Sequence, residues 1–177
     1  MRVGWVPKSA QARGIGVAAR VTMQVTSKAF AYGAAIPDKY TQDGADVSPP
    51  LAFSDIPPGA RSLALIVDDP DAPDPAAPRT QAWVHWVLVD LPPDTETLPE
   101  AVTRLPGGKV GTNDWNHTAW DGPAPPIGKH RYRFKLYALD RVLGLDRPTK
   151  AKLEAAMQDH VLEEAELIGT YKKARRG

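Results

Sequence analysis

Three acids in four positions, Asp68, Asp69 and Asp71, are separated by Pro70 and followed by Ala72-Pro73. Carboxylates packed this closely repel one another unless cations or hydrogen-bond donors satisfy them. The two prolines stiffen the backbone and hold the acids in a fixed turn. A lone histidine, His85, sits within the apolar run Trp83-Val84-His85-Trp86-Val87-Leu88-Val89. By strand alternation it shares a face with Trp83 and Val87. Further on, Gly122-Pro123-Ala124-Pro125-Pro126-Ile127-Gly128-Lys129 delivers His130, Arg131 and Tyr132 at the start of a strand. Each of these three side chains can donate a hydrogen bond, so their natural guest is an anion. A fourth segment, Gly111 to Trp115 followed by His117 and Trp120, reads as an aromatic-rich loop rather than a reaction centre.

These residues are carried by short apolar runs. Eighteen prolines and fourteen glycines are scattered along the chain, the texture of a β-rich domain with long loops. Val21 to Val25 alternates weakly. Ser62 to Val67 is apolar on both faces and ends in acid at Asp68 and Asp69; Trp83 to Val89 is a second such run. Runs of this kind belong to central strands of a covered sheet. Tyr132 to Leu136 alternates apolar with basic residues, which predicts a strand with one wet face. Thr149 to Gln158 reads as a helix, with Pro148 before it, Thr149 as N-cap, and Leu153, Ala156 and Met157 on one face. Periodicity would carry that helix to Ile168, yet Ala165 to Tyr171 also alternates as a strand would.

The totals narrow the function. At 177 residues, 42% hydrophobic and 24% charged, the chain has the size and composition of one globular domain. A net charge of +1 gives no electrostatic footprint for nucleic acid. With no cysteine there is neither a disulfide framework nor a thiolate nucleophile, which fits a cytoplasmic location. No apolar run is long enough for a membrane span. Residues 1–20 read as a basic N-terminal arm and 21–177 as the single domain; no acid occurs before Asp38. There is no Gly-x-Ser-x-Gly elbow, and Gly107 to Thr112 has the wrong order for a phosphate-binding loop of the Walker type.

Taken in order, Asp69-Pro70-Asp71-Ala72-Pro73, the His85 strand, and Gly122-Pro123 through His130-Arg131-Tyr132 resemble the phosphatidylethanolamine-binding proteins, also called Raf-kinase-inhibitor-like proteins. Ser48-Pro49-Pro50-Leu51, Gly122 to Pro126 and Ala165 to Tyr171 are similar to the bacterial and archaeal branch. Trp120 and Ala124 stand where that branch commonly carries tyrosine and cysteine. The resemblance implies a mainly β fold: a large central sheet, a smaller sheet packed on it, and a few peripheral helices. It favours a short helix at 149–159 followed by a strand at 161–171.

It also implies a shallow non-catalytic pocket for phosphate-like or phospholipid-headgroup anions. By matched motif, that pocket is lined by Asp69, Asp71, Pro73, His85, Gly122, Pro123, His130 and Tyr132. No cofactor and no metal are expected. In the expected mechanism His85 and His130 grip the anion, while Asp69 and Asp71 orient them and raise their pKa values. A backbone N–H near Gly122 and the Tyr132 hydroxyl complete the cradle. Affinity for phosphate then falls as pH rises through the histidine pKa values. The main alternative is an interaction protein of the serine-protease or kinase inhibitor type, with the pocket tuning a protein partner. Catalysis by Asp, His and Tyr, and a metal held by Asp69, Asp71, His85 and His130, are further rivals. Exposed β-edges would also permit a homodimer.

Overall fold

The computed structural model describes residues 21–173; the expected arm at 1–20 lies outside them. Five antiparallel strands form the large sheet: β3 (Ser62–Asp69), β4 (Trp83–Leu91), β6 (Lys109–Val110), β7 (Lys129–Leu139) and β8 (Val161–Lys172), in the order β6-β4-β3-β7-β8. A three-stranded sheet of β1 (Gln24–Thr26), β2 (Leu51–Ser54) and β5 (Thr97–Leu98), ordered β1-β2-β5, packs on it. The helix α1 (Lys150–Met157) covers the opposite face, its N-cap supplied by Thr149, whose hydroxyl accepts from the Lys152 amide. The ambiguous C-terminal segment therefore divides into helix and strand, and the mainly β, two-sheet expectation holds.

The all-buried apolar run places β3 at the centre of the sheet. Leu63, Leu65 and Val67 join Phe134 and Leu136 of β7 against the small sheet, where Val25, Leu51 and Phe53 meet them. Ala64 and Ile66 face the other way, onto Leu153 and Met157 of α1. Each strand thus feeds two cores through its period-two alternation.

That alternation decides the fate of the acids. β3 does not stop at Val67; it runs on through Asp68 and Asp69, both buried. Adjacent strand residues point to opposite faces, so Asp68 turns to the helix side and Asp69 away from it. Asp68 accepts from Arg133 Nε (2.8 Å), Lys135 Nζ (2.9 Å) and Lys150 Nζ (2.8 Å). It therefore belongs to no acidic turn. The face of β7 expected to be wet instead supplies two of the three cations that satisfy it, with Arg133 29% and Lys135 17% exposed. Burial alone would raise the Asp68 pKa, but the three cations outweigh it and hold the carboxyl below its usual range.

Candidate functional site

Asp69, on the other face of the same strand end, lies beside His130 and Tyr132 of β7. His130 Nδ1 meets Asp69 Oδ2 at 2.6 Å, and His130 Nε2 donates to the Ile127 carbonyl at 2.8 Å. Both ring nitrogens face oxygen acceptors within the protein, so His130 has no N–H left for a guest. Asp69 Oδ1 also accepts the Asp71 amide at 2.8 Å, which fixes the turn after the strand.

His85 arrives through an irregularity. Between Val67 and Asp68 the register advances one residue on β3 but two on β4, from Trp86 to Val84, leaving His85 as the extra residue of a bulge. The bulge breaks strict alternation. Val87 faces the helix-side core, while His85 joins Trp83 in lining a cavity on the other side. The His85 ring lies 5.2 Å from Tyr132 and 5.0 Å from Trp115, both edge-on, and the His130 ring stacks on Tyr132 at 6.4 Å. The two imidazoles, 45 positions apart in the sequence (130 minus 85), thus meet around one phenol.

His85 Nδ1 donates to the Asp121 carbonyl at 2.6 Å, leaving Nε2 as the nitrogen available to a guest. Burial lowers the His85 pKa; the hydrogen bond to Asp121 and the carboxylates of Asp69, Asp121 and Asp68 oppose it without prevailing. The expected rise is reversed here. His85 is a neutral ring at neutral pH, donating through Nδ1 and accepting through Nε2. The Tyr132 hydroxyl is sealed from solvent and set towards the Asp69 carboxylate; burial raises its pKa, and the charges of Asp69 and Asp71 with a hydrogen bond towards Asp69 raise it further.

The cavity holds about 250 Å³. Asp69, His85, His130 and Tyr132 supply its polar groups, and Pro73 joins its wall as expected from the matched motifs. Ala72, Trp83, Trp115, Ala124, Pro125 and Pro126 build the rest of the wall, with Arg79 at the rim over the Trp83 ring, 4.8 Å from its centroid.

Three expected residues do not line it. Asp71 accepts from the Arg131 backbone N–H (2.8 Å), Nε (3.0 Å) and Nη2 (2.9 Å), which hold its carboxyl below the usual range. The Gly122 N–H donates to Asp46 Oδ1 at 2.8 Å rather than to a guest. A Cβ on Gly122 would collide with the Tyr40 carbonyl, so glycine is needed for close packing there. The Pro123 carbonyl accepts the Gln42 amide at 3.0 Å. Gly122-Pro123 therefore anchors the loop, and Ala124 to Pro126 form the wall it presents. A metal shared by Asp69, Asp71, His85 and His130 meets the same obstacle, since Asp71 is held by Arg131 and both His130 nitrogens are engaged.

Sequence reasoning missed Arg79, Trp83 and Trp115. Trp115 sits in the loop read as merely aromatic. Asn113, buried at its base, ties it down by donating from Nδ2 to the carbonyls of His85 (3.2 Å) and Ala119 (3.0 Å) and to Asp121 Oδ2 (2.7 Å). Two tryptophans flanking a histidine in a cavity wall were detectable as residue types. Their convergence depends on that loop closure and has no local signal.

A two-sheet β scaffold with an apolar-walled, polar-floored cavity at one end of its central strands defines a binding-type protein. The comparisons agree. The phosphatidylethanolamine-binding protein family model matches residues 26–172, and the chain belongs to that family. It is 47% identical over 156 residues to a UPF0098 protein of Methanothermobacter thermautotrophicus, covering 85% of this chain and 99% of that one. Among solved structures, a phosphatidylethanolamine-binding protein homologue of Chlamydia trachomatis superposes with a TM-score of 0.81 at 44% identity, covering 86% of this chain and 99% of its own. YbcL of E. coli follows with 0.78 at 29% identity, covering 87% and 100%. Among the described residues no helix is long and apolar enough to cross a membrane.

Proposed function

We propose that this chain is a non-catalytic receptor for a small anion, phosphate-like or headgroup-like, held in the cavity between His85 and Tyr132. The observation that carries this reading is a cavity lined by His85, whose Nε2 is left unengaged by the Asp121 carbonyl on Nδ1. Arg79 at the rim adds a fixed cation. The apolar wall favours a guest with a flat or aliphatic body behind its charged head. At about 250 Å³ the space suits a headgroup or a metabolite rather than an acyl chain.

Titration with inorganic phosphate, followed by amide and indole NMR, tests the proposal. The Trp83 and Trp115 indole N–H signals should move with saturation, while those of Trp86 and Trp120, in the core between the sheets, should not. Saturable shifts confined to any other surface, or none at millimolar phosphate, would refute the assignment.

A further inference from the structure

The two sheets leave a groove along one open side, between β1 and β8, that shares no lining residue with the cavity. It holds about 500 Å³. Met23, Val25, Phe30 and Leu167, all buried, give it an apolar floor, and Tyr32, 65% exposed, stands at its rim. The Met23 N–H closes one end by donating to Glu163 Oε2 at 2.7 Å. The Gly33 N–H closes the other by donating to the Ile168 carbonyl at 2.6 Å. Between these two bonds, residues 164–167 of β8 form a sheet edge.

That edge has a definite orientation. Residues 33–36 pair with the outer side of β8 through the Ile168 carbonyl and both backbone groups of Thr170. Backbone groups along an antiparallel strand point to alternate sides, so Glu166 and Glu164 turn theirs the same way, into the groove. Among the described residues neither finds a backbone partner there. Their side chains lie across from Lys135 and Tyr137 on the helix side of the sheet, while Ala165 and Leu167 face the small sheet. Both glutamates are exposed, and Lys135 is held by Asp68 at 2.9 Å.

We propose that this groove receives an extended peptide of alternating apolar and basic residues, which adds a strand to the large sheet beside β8. Its apolar side chains rest on Val25, Phe30 and Leu167, and its basic ones meet Glu164 and Glu166. On the other side of β8 the same pattern already fits. There β7 alternates apolar with basic, with Phe134 and Leu136 in the core and Lys135 opposite Glu166. A second copy of β8 is a poor occupant. Antiparallel pairing about Ala165 would set Glu164 against Glu166 of the other copy, and like charges directly opposite destabilise a sheet.

Fluorescence anisotropy of the whole chain with labelled Lys-Val-Lys-Val-Lys-Val-Lys, and with its counterpart carrying glutamate for lysine, tests this. The lysine peptide should bind saturably and the glutamate peptide about tenfold more weakly or not at all. N-methylating only the lysines, or only the valines, blocks one edge of the peptide backbone at a time. One set should weaken binding about tenfold or more by removing the hydrogen bonds to Glu164 and Glu166, and the other should not. If neither set weakens it, charge alone holds the peptide and the inference falls. Glu164→Lys combined with Glu166→Lys should reverse the preference between the two peptides and leave phosphate binding in the cavity as in wild type. An unchanged preference would place the peptide elsewhere, and no binding of the lysine peptide would overturn the inference while leaving the receptor intact. Nuclear Overhauser contacts between Ala165 and residues 1–20 of the free chain, or a dimer that the lysine peptide dissociates, would assign the groove to the chain itself and overturn the proposed occupant.

Discussion

Replacing Tyr132 by Phe separates a binding hydroxyl from a structural one, because the two roles predict opposite signs in stability. The ring is 1% exposed, stacked on His130 and edge-on to His85, and Phe retains every one of those contacts. What disappears is a buried hydroxyl set towards Asp69 without a hydrogen bond of full geometry. A buried polar group left unsatisfied costs about 1–3 kcal/mol, of which removing it should recover roughly 1 kcal/mol. For a chain of this length that raises the midpoint of thermal unfolding by about 2–4 °C. Because that hydroxyl is sealed from the cavity, affinity for inorganic phosphate should stay within about twofold of wild type. Differential scanning calorimetry without ligand, paired with isothermal titration, reads both quantities on one preparation. A fall of several degrees would show that the hydroxyl was donating to Asp69 as part of the fold. A tenfold loss of affinity would show that the hydroxyl reaches the guest after all.

Two further outcomes follow from the buried charges. Asp68→Asn leaves Arg133, Lys135 and Lys150 converging on a neutral amide and should cost about 3–5 kcal/mol, as breaking a buried ion pair does, seen as a lower urea midpoint at constant slope. Lys150→Met, which leaves the carboxylate two cations, should cost about 1 kcal/mol or less, and a larger loss there would contradict this sharing. The second outcome concerns pH. His85 has a lowered folded-state pKa, so below about 6.5 the unfolded chain binds the extra proton and stability declines as pH falls towards the folded value. Asp68 and Asp71 are depressed acids, whose contribution is present above about 3.9 and lost as pH falls below it. The stability of wild type minus that of His85→Gln, measured by urea denaturation, should therefore rise with pH through about 6.5. A flat difference would mean that the ring is not buried as a neutral group.

How much of this was legible in the sequence depends on the range of the interaction that decides each feature. β3, β4 and α1 could be read because alternation, unbroken apolar runs and the Thr149 cap are local. Asp68 and Asp69 could not be told apart, since nothing local says that a strand continues into two carboxylates; it does so because Arg133, Lys135 and Lys150 wait on one side and His130 on the other. His85 was located, but its face was assigned partly wrongly, because a bulge is defined by the partner strand. Asp71 and Gly122 carried motif weight for reasons that proved architectural: one clamps Arg131, the other fits beneath Tyr40 and Asp46. Trp83 opens β4, but its meeting with Trp115 and Arg79 depends on loops whose closure involves Asn113 and on the register of distant strands.

The contrast between the two histidines lies in what holds each ring. A ring whose far nitrogen meets a carboxylate is drawn towards the imidazolium, and one that meets a carbonyl is only oriented. His130 has the carboxylate, and its other nitrogen is tied to Ile127, so neither ring nitrogen faces the guest. His85 has the carbonyl of Asp121, whose own carboxylate is turned to Asn113 and His117. As built, the imidazole nitrogen left unengaged is His85 Nε2, and its ring is fixed by the surrounding fold before any guest arrives. Such preorganisation lowers the ordering cost of binding.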